Sequence, residues 1–311
     1  MAEFSADNPC RILSLDGGGA KGFYTLGVLR QVEAMAGPLH KKFDIVFGTS
    51  TGSIIAALIC LGEPIDHILE LYKKHVVKVM RELLPSQKTA ALEALQKEVF
   101  GNRGFSELQT NVGIVATNWK LARPMIFKTS KAQGHGSLDT FVPGFGCTIG
   151  DAVQASCSAY PFFKKKVITT SFDERIEVVD GGYCANNPTL YAIADAVNSI
   201  KAPRAAIRVV SIGVGEYPAP IKRWYSPMKV IGYMFTVRLL QQTMEINTQS
   251  MDQLREVLFG SLPTVRINKT YSEPEMAADM FEHDLEKLDL LWQRGRRSFA
   301  EHETRLRDLL L

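Results

Sequence analysis

The sequence predicts an α/β protein with a mainly parallel central sheet, and three observations carry that prediction. Two strand-turn-helix units occupy residues 11–61, short apolar runs go on alternating with helical patterns to about residue 215, and the remainder is mostly helical. The first unit opens with Arg11 to Leu15, an apolar run ending at Asp16 and the glycines Gly17, Gly18 and Gly19. Phe23, Leu26, Leu29, Val32 and Met35 then recur at helical spacing, and Gly37-Pro38 stops that helix because proline cannot continue the hydrogen-bond ladder. The second unit runs from Phe43 to Phe47 through the turn Gly48 to Gly52 into an apolar helix over Ser53 to Leu61. Consecutive units of this kind pair their strands in parallel.

Pro64 to Phe105 reads differently: Ile65, Ile68, Tyr72, Val76 and Val79 form one helical stripe among charged residues, which predicts a helical insertion over one edge of the sheet. Further strands are expected at Val112 to Ala116, Pro124 to Lys128, Ile176 to Asp180 and Ile207 to Val214. Thr148 and Asp151 stand at capping-box spacing before a helix through Cys157, and Asn187-Pro188 supplies a cap and a first-turn proline for a helix over Thr189 to Ile200. From Tyr217 the pattern is helical apart from one strand at Thr264 to Asn268, and the segment from Ser272 is charged and amphipathic. One catalytic domain over residues 1–311, with its core at about 10–215, accounts for the whole pattern.

Composition narrows the partners. The 36 Lys and Arg against 33 Asp and Glu give a net charge of +3 without a like-charge block, which argues against nucleic acid as a ligand. The longest apolar run, Ile54 to Leu61, falls far short of the roughly 20 residues of a spanning helix. The first ten residues carry acids and no basic head or apolar core, unlike a secretory signal, so a cytoplasmic protein is expected. Cys10, Cys60, Cys147, Cys157 and Cys184 are scattered without a C-x-x-C pair, and no ligand spacing points to a metal.

Gly48-Thr49-Ser50-Thr51-Gly52 is G-x-S-x-G between a strand and a helix, the context of a nucleophile elbow; a plain glycine-rich turn is the alternative. The N–H of Thr51 at the helix start would face negative charge developing beside the Ser50 hydroxyl. Gly17 to Gly22 fits G-x-G-x-x-G, yet the second strand ends in Phe47-Gly48 and not in the acid that holds a ribose, and Phe23-Tyr24 replaces the Ser or Thr of a P-loop. A run of unhindered N–H donors remains, suited to an oxyanion or a phosphate. Asp180-Gly181-Gly182 closes another strand, where a carboxylate can take the serine proton if parallel strand ends converge; a structural turn aspartate is the alternative. Of the six histidines, chain order would leave His283 or His302 to complete a triad, and both lie in charged helical sequence, so a Ser-Asp pair is the better reading.

Asp16 to Gly22, Gly48 to Gly52 and Asp180 to Gly182, in this order, resemble the signature blocks of patatin-like phospholipases, and Ala155 to Phe163 is similar to the segment before the aspartate in that family. The resemblance implies a three-layer α/β/α patatin-like fold and acyl-ester hydrolysis of glycerolipids. By it Ser50 and Asp180 are catalytic, Gly17, Gly18, Gly19 and Thr51 form the oxyanion hole, and Lys21, Gly22, Gly48, Gly52, Gly181 and Gly182 support the motifs. Lys21 stands where the family usually has arginine, which keeps the charge and loses the planar fork. Length and helical tail are similar to the bacterial members that cyclic nucleotides switch on in antiphage defence. That likeness implies a cyclic nucleotide activator, no cofactor for the chemistry, and transient work at the inner membrane, with a homo-oligomer as a possible form. Ile221 to Phe235, with its aromatic and basic residues, suits a headgroup boundary or a packing helix, and Arg103, Lys222, Arg223 and Arg238 are candidate phosphate contacts. A constitutive lipid esterase and a non-enzymatic nucleotide-binding module are the competing functions.

Overall fold

The computed structural model describes residues 4–134, 141–218 and 228–311. Its centre is one sheet of eight strands: β1 Cys10–Leu15, β2 Ile45–Thr49, β3 Asn111–Asn118, β4 Arg123–Lys128, β5 Lys166–Thr169, β6 Arg175–Asp180, β7 Ile207–Ile212 and β8 Thr264–Ile267. The order is β5-β6-β3-β2-β1-β7-β8, with β4 also on β3. β3, β2, β1, β7 and β8 pair in parallel, whereas β4 and β6 run antiparallel to β3, and β5 antiparallel to β6.

Side chains alternate across a strand, so a sheet apolar on both faces needs cover on both. Leu13, Leu15, Val46, Val210 and Ile212 enter one core with the helices Gly22–Ala36, Thr51–Cys60, Ile149–Cys157 and Leu285–Leu310. Ile12, Ile45, Phe47 and Val209 enter a second core with Ala192 and Ile193 of the helix Thr189–Ala194, over which the long helix Met228–Phe259 lies. Helix, sheet and helix make the three layers the sequence implied. The tail helix reaches the first core because Gly27 and Gly295 let backbones touch: a Cβ on Gly295 would stand 2.0 Å from the Tyr24 carbonyl oxygen.

Four features differ from the sequence reading. β5 is unexpected, because Lys164 to Lys166 hide its start and only Ile168 of its four residues is buried, as suits an edge strand. β6 enters against the parallel direction, so Asp180 does not arrive by convergence of parallel strands. The insertion also reaches the dyad: Val76, Val79, Met80, Leu92 and Leu95 wall the cavity beside Ser50. Arg103 donates to the carbonyls of Phe100 and Val99, capping the insertion's last turn with the donors expected to meet phosphate. Of the stretch Ile221 to Phe235, residues 221–227 with Lys222 and Arg223 lie outside the described residues, and the helix begins at Met228.

One ion pair ties the sheet's far side to the first glycine loop. Arg266 on β8 reaches across β7 and holds both oxygens of the buried Asp16 carboxylate, at 2.9 and 2.5 Å, and also donates to Ser211 Oγ at 2.8 Å. Burial pushes the Asp16 carboxyl up and Arg266 opposes that shift. Removing one partner of such a pair strands the other charge in the interior, so Arg266→Met should cost about 3 kcal/mol or more in urea unfolding. The double variant with Asp16→Asn should recover part of that loss.

Candidate active site

β2 hands directly to the helix Thr51–Cys60 at Ser50, whose φ of 52° and ψ of −128° lie outside the regions open to most side chains. Such a residue costs about 1–3 kcal/mol and persists only where its surroundings hold it. The flanking glycines make the turn possible: a Cβ on Gly48 would stand 2.4 Å from the Gly52 carbonyl oxygen, and one on Gly52 2.5 Å from that of Leu15. Ser156 locks the bend from outside, its Oγ accepting the Ser50 N–H at 2.9 Å while it donates to the Val115 carbonyl. The sequence singled out the segment holding Ser156 but no role for it.

Asp180 reaches Ser50 through an abutment of strands. β4 takes one edge of β3 along 113–118, so β2, opposite residues 111–115, and β6, opposite 116–118, share the other edge. Thr49 pairs with Val115 and Asp180 with Ala116, so the two strands run into each other end to end. Ser50 Oγ donates to Asp180 Oδ2 at 2.6 Å, and the Gly182 N–H donates to Oδ1 at 2.7 Å. Gly181 permits the contact, since a Cβ there would stand 2.2 Å from the Val115 carbonyl oxygen. Asp180 is fully buried, and burial pushes its carboxyl up to about 7 against the pull of the Ser50 hydroxyl and the Gly182 N–H.

The first glycine loop lies alongside. Gly17 spends its N–H on the Asn186 carbonyl at 3.0 Å, so it is not a free oxyanion donor, contrary to the sequence reading. The N–H groups of Gly18, Gly19 and Thr51 have no partner among the described residues. Gly19 has φ 61°, and a Cβ there would stand 2.1 Å from the Met280 carbonyl oxygen, which accepts the Ala20 N–H at 3.0 Å. Lys21 turns away from Ser50: it is buried with Nζ 3.5 Å from Glu245 of the long helix, burial lowers its pKa and Glu245 opposes that. It therefore anchors the loop to the second helical layer. Gly22 makes room for Tyr72 of the insertion, whose hydroxyl donates to the Thr51 carbonyl at 2.6 Å.

Ser50 and Asp180 open onto a small cavity walled by Ile54, Val79, Leu92, Phe163, Met280 and Phe281, an apolar lining whose chemistry suits an alkyl chain. Met280 and Phe281 come from the loop before the last helix, where the sequence reading saw only charged amphipathic residues. His283 Nδ1 lies 3.1 Å from the Phe281 carbonyl and His302 Nδ1 2.9 Å from that of Ser298, so neither completes a triad. Among the described residues no group of His, Cys, Asp and Glu could hold a metal ion.

The buried carboxyl carries a stability cost with a definite sign. Unfolded, Asp180 ionises near 3.8, while folded it keeps its proton to about 7, so the folded state binds the extra proton between these values and loses stability as pH rises through them. Asp180→Asn removes the charge and should stabilise the fold above pH 7 by up to about 4 kcal/mol, with a gain that shrinks towards pH 4. Thermal unfolding of both proteins across that range measures it.

The model of the patatin-like phospholipase family matches residues 13–193, which hold all three glycine motifs. The chain is 55% identical over 312 residues to a cUMP-AMP-activated phospholipase of Escherichia coli, covering all of this chain and 97% of that protein. It is 26% identical to a cGAMP-activated phospholipase of Pseudomonas aeruginosa, over 68% of this chain and 64% of that one. The crystal structure of VipD from Legionella pneumophila superposes with a TM-score of 0.53 at 14% identity, over 97% of this chain and 67% of VipD, a likeness of fold. With a strained serine bonded to a buried aspartate beneath free backbone donors, and with a family match over more than half its length, the chain belongs to the patatin-like phospholipases.

Proposed function

We propose that Ser50 and Asp180 are the nucleophile and general base of acyl-ester hydrolysis on membrane phospholipids, and that a cyclic dinucleotide switches the reaction on. The observation that carries the chemistry is the 2.6 Å hydrogen bond from Ser50 Oγ to Asp180 Oδ2. A carboxyl held near 7 is matched to proton transfer at neutral pH. Asp180 takes the hydroxyl proton as Ser50 Oγ bonds to the ester carbonyl carbon, and the N–H groups of Gly18, Gly19 and Thr51 receive the oxyanion. Collapse breaks the ester C–O bond, and the leaving alkoxide takes the proton from Asp180. Water then adds to the acyl-enzyme with Asp180 again as base, releasing the fatty acid and restoring Ser50.

Two observations support a switch. Two of the relatives bear names that state activation by cUMP-AMP or cGAMP, and the more similar one covers the whole chain. Ser50 is 7% exposed beneath the insertion and the 280–281 loop, so an acyl chain enters only after one of these moves. A ligand shifts that equilibrium by its differential affinity for the open state. On this reading the protein works at the cytoplasmic face of the membrane, and activation includes a change of oligomer.

Hydrolysis of phosphatidylglycerol vesicles should rise saturably with cyclic UMP–AMP. Ser50→Ala and Asp180→Ala should each lose at least about 10³-fold, and the double variant should be hardly worse, because the two groups act as a unit. Turnover by Ser50→Ala near the parent's rate, or full activity without any cyclic dinucleotide, refutes the corresponding half of the reading.

A further inference from the structure

The end of β3 carries a surface that the chemistry above does not use. Trp119, Leu121 and Val167 line one groove and are 40, 53 and 43% exposed, large for apolar side chains, and Tyr160 beside Trp119 is 40% exposed. Trp119 and Tyr160 lie 5.6 Å apart, and Lys165 Nζ sits over both rings, at 5.1 and 5.4 Å. The groove is lined by four cations, Lys120, Arg123, Lys165 and Arg175, against two acids, Glu174 and Glu177. Glu177 is taken by Lys165 at 2.9 Å, and no carboxylate pairs with Lys120 or Arg123 among the described residues. Amphipathic rings interleaved with basic groups are the composition of a headgroup boundary, where the rings enter the interface and the cations meet lipid phosphate.

Position ties this surface to the dyad. Tyr160 stands in the chain between Ala159 and Phe163, which both line the Ser50 cavity, so its exposed ring and part of the cavity wall belong to one segment. On the other side Trp119 meets the Tyr183 ring at 6.2 Å, and Tyr183 follows Gly182, the donor to Asp180. A bilayer seated on the groove would present its acyl chains beside the cavity.

We infer that the groove around Trp119 and Tyr160 is the docking surface for an anionic phospholipid bilayer. The inference rests on the phospholipase reading, and its test is separated from that reading by scoring binding on catalytically silent Ser50→Ala protein. That protein, the full chain with cyclic UMP–AMP present, is sedimented with vesicles of phosphatidylcholine containing phosphatidylglycerol and with vesicles of phosphatidylcholine alone. Trp119→Ser with Tyr160→Ser, and separately Lys120→Glu with Arg123→Glu, should each weaken binding to the anionic vesicles about tenfold or more. The charge-reversed pair should lose the preference for anionic over neutral vesicles. In proteins that keep Ser50, hydrolysis of the soluble ester p-nitrophenyl butyrate should stay within about twofold of the parent, which shows that the site has survived. Failure of the parent to hydrolyse this ester or vesicle lipid would refute the hydrolase reading while leaving the binding result readable. Anionic-vesicle binding unchanged in both pairs, or absent from the parent, overturns the docking surface. Loss of self-association with vesicle binding intact overturns it too, by giving the groove to a protein partner.

Discussion

The hydrogen bond between Ser50 and Asp180 is the constraint around which the rest of the molecule is arranged. It exists because β2 and β6 end on adjacent residues of β3, Val115 and Ala116. Neither strand could run one residue further without collision, so the chain must turn sharply at both ends. Glycines at 48, 52 and 181 allow those turns because each lies where a Cβ would strike a carbonyl oxygen. The strained Ser50 backbone is the energetic cost of this junction, and Ser156 holds it in place.

Two buried aspartates near this junction differ in what surrounds them. Asp16 receives a two-pronged guanidinium from Arg266, and that pairing opposes the shift burial imposes on it. Asp180 meets a hydroxyl and one N–H, with no cation bonded to it among the described residues, and burial carries its carboxyl to about 7. The environment divides their roles: a charge held by a fixed ion pair braces a loop, whereas a carboxyl poised near neutrality can exchange a proton.

The cavity is assembled from pieces distant in sequence. Its walls come from the elbow helix, the insertion, the segment after Cys157 and the loop at Met280 and Phe281, and Ala20 is hydrogen-bonded to Met280 across the site. Phe281 packs edge-on against Phe162 with centroids 5.1 Å apart, and the buried Lys88 of the insertion lies 4.3 Å from the Phe281 ring centre. The insertion, the C-terminal loop and the glycine loop are therefore joined by direct contacts around the site.

The alternation of strands and helices, the elbow at Ser50, the free donors of Gly18 and Gly19 and the aspartate at a strand end were legible in the sequence because each is a local demand. Period-two and helical spacing, and glycine where no side chain fits, leave marks within a few residues. What came from farther along the chain left no such mark. The lysines before β5 concealed an edge strand, Gly17 lost its donor to Asn186, Lys21 turned to Glu245, and Arg266 found Asp16 250 residues away. By itself the sequence determined which residues could do the chemistry. Only the tertiary structure decided which of them meet, because strand direction and register choose the partner of every long-range hydrogen bond and neither is encoded within one segment.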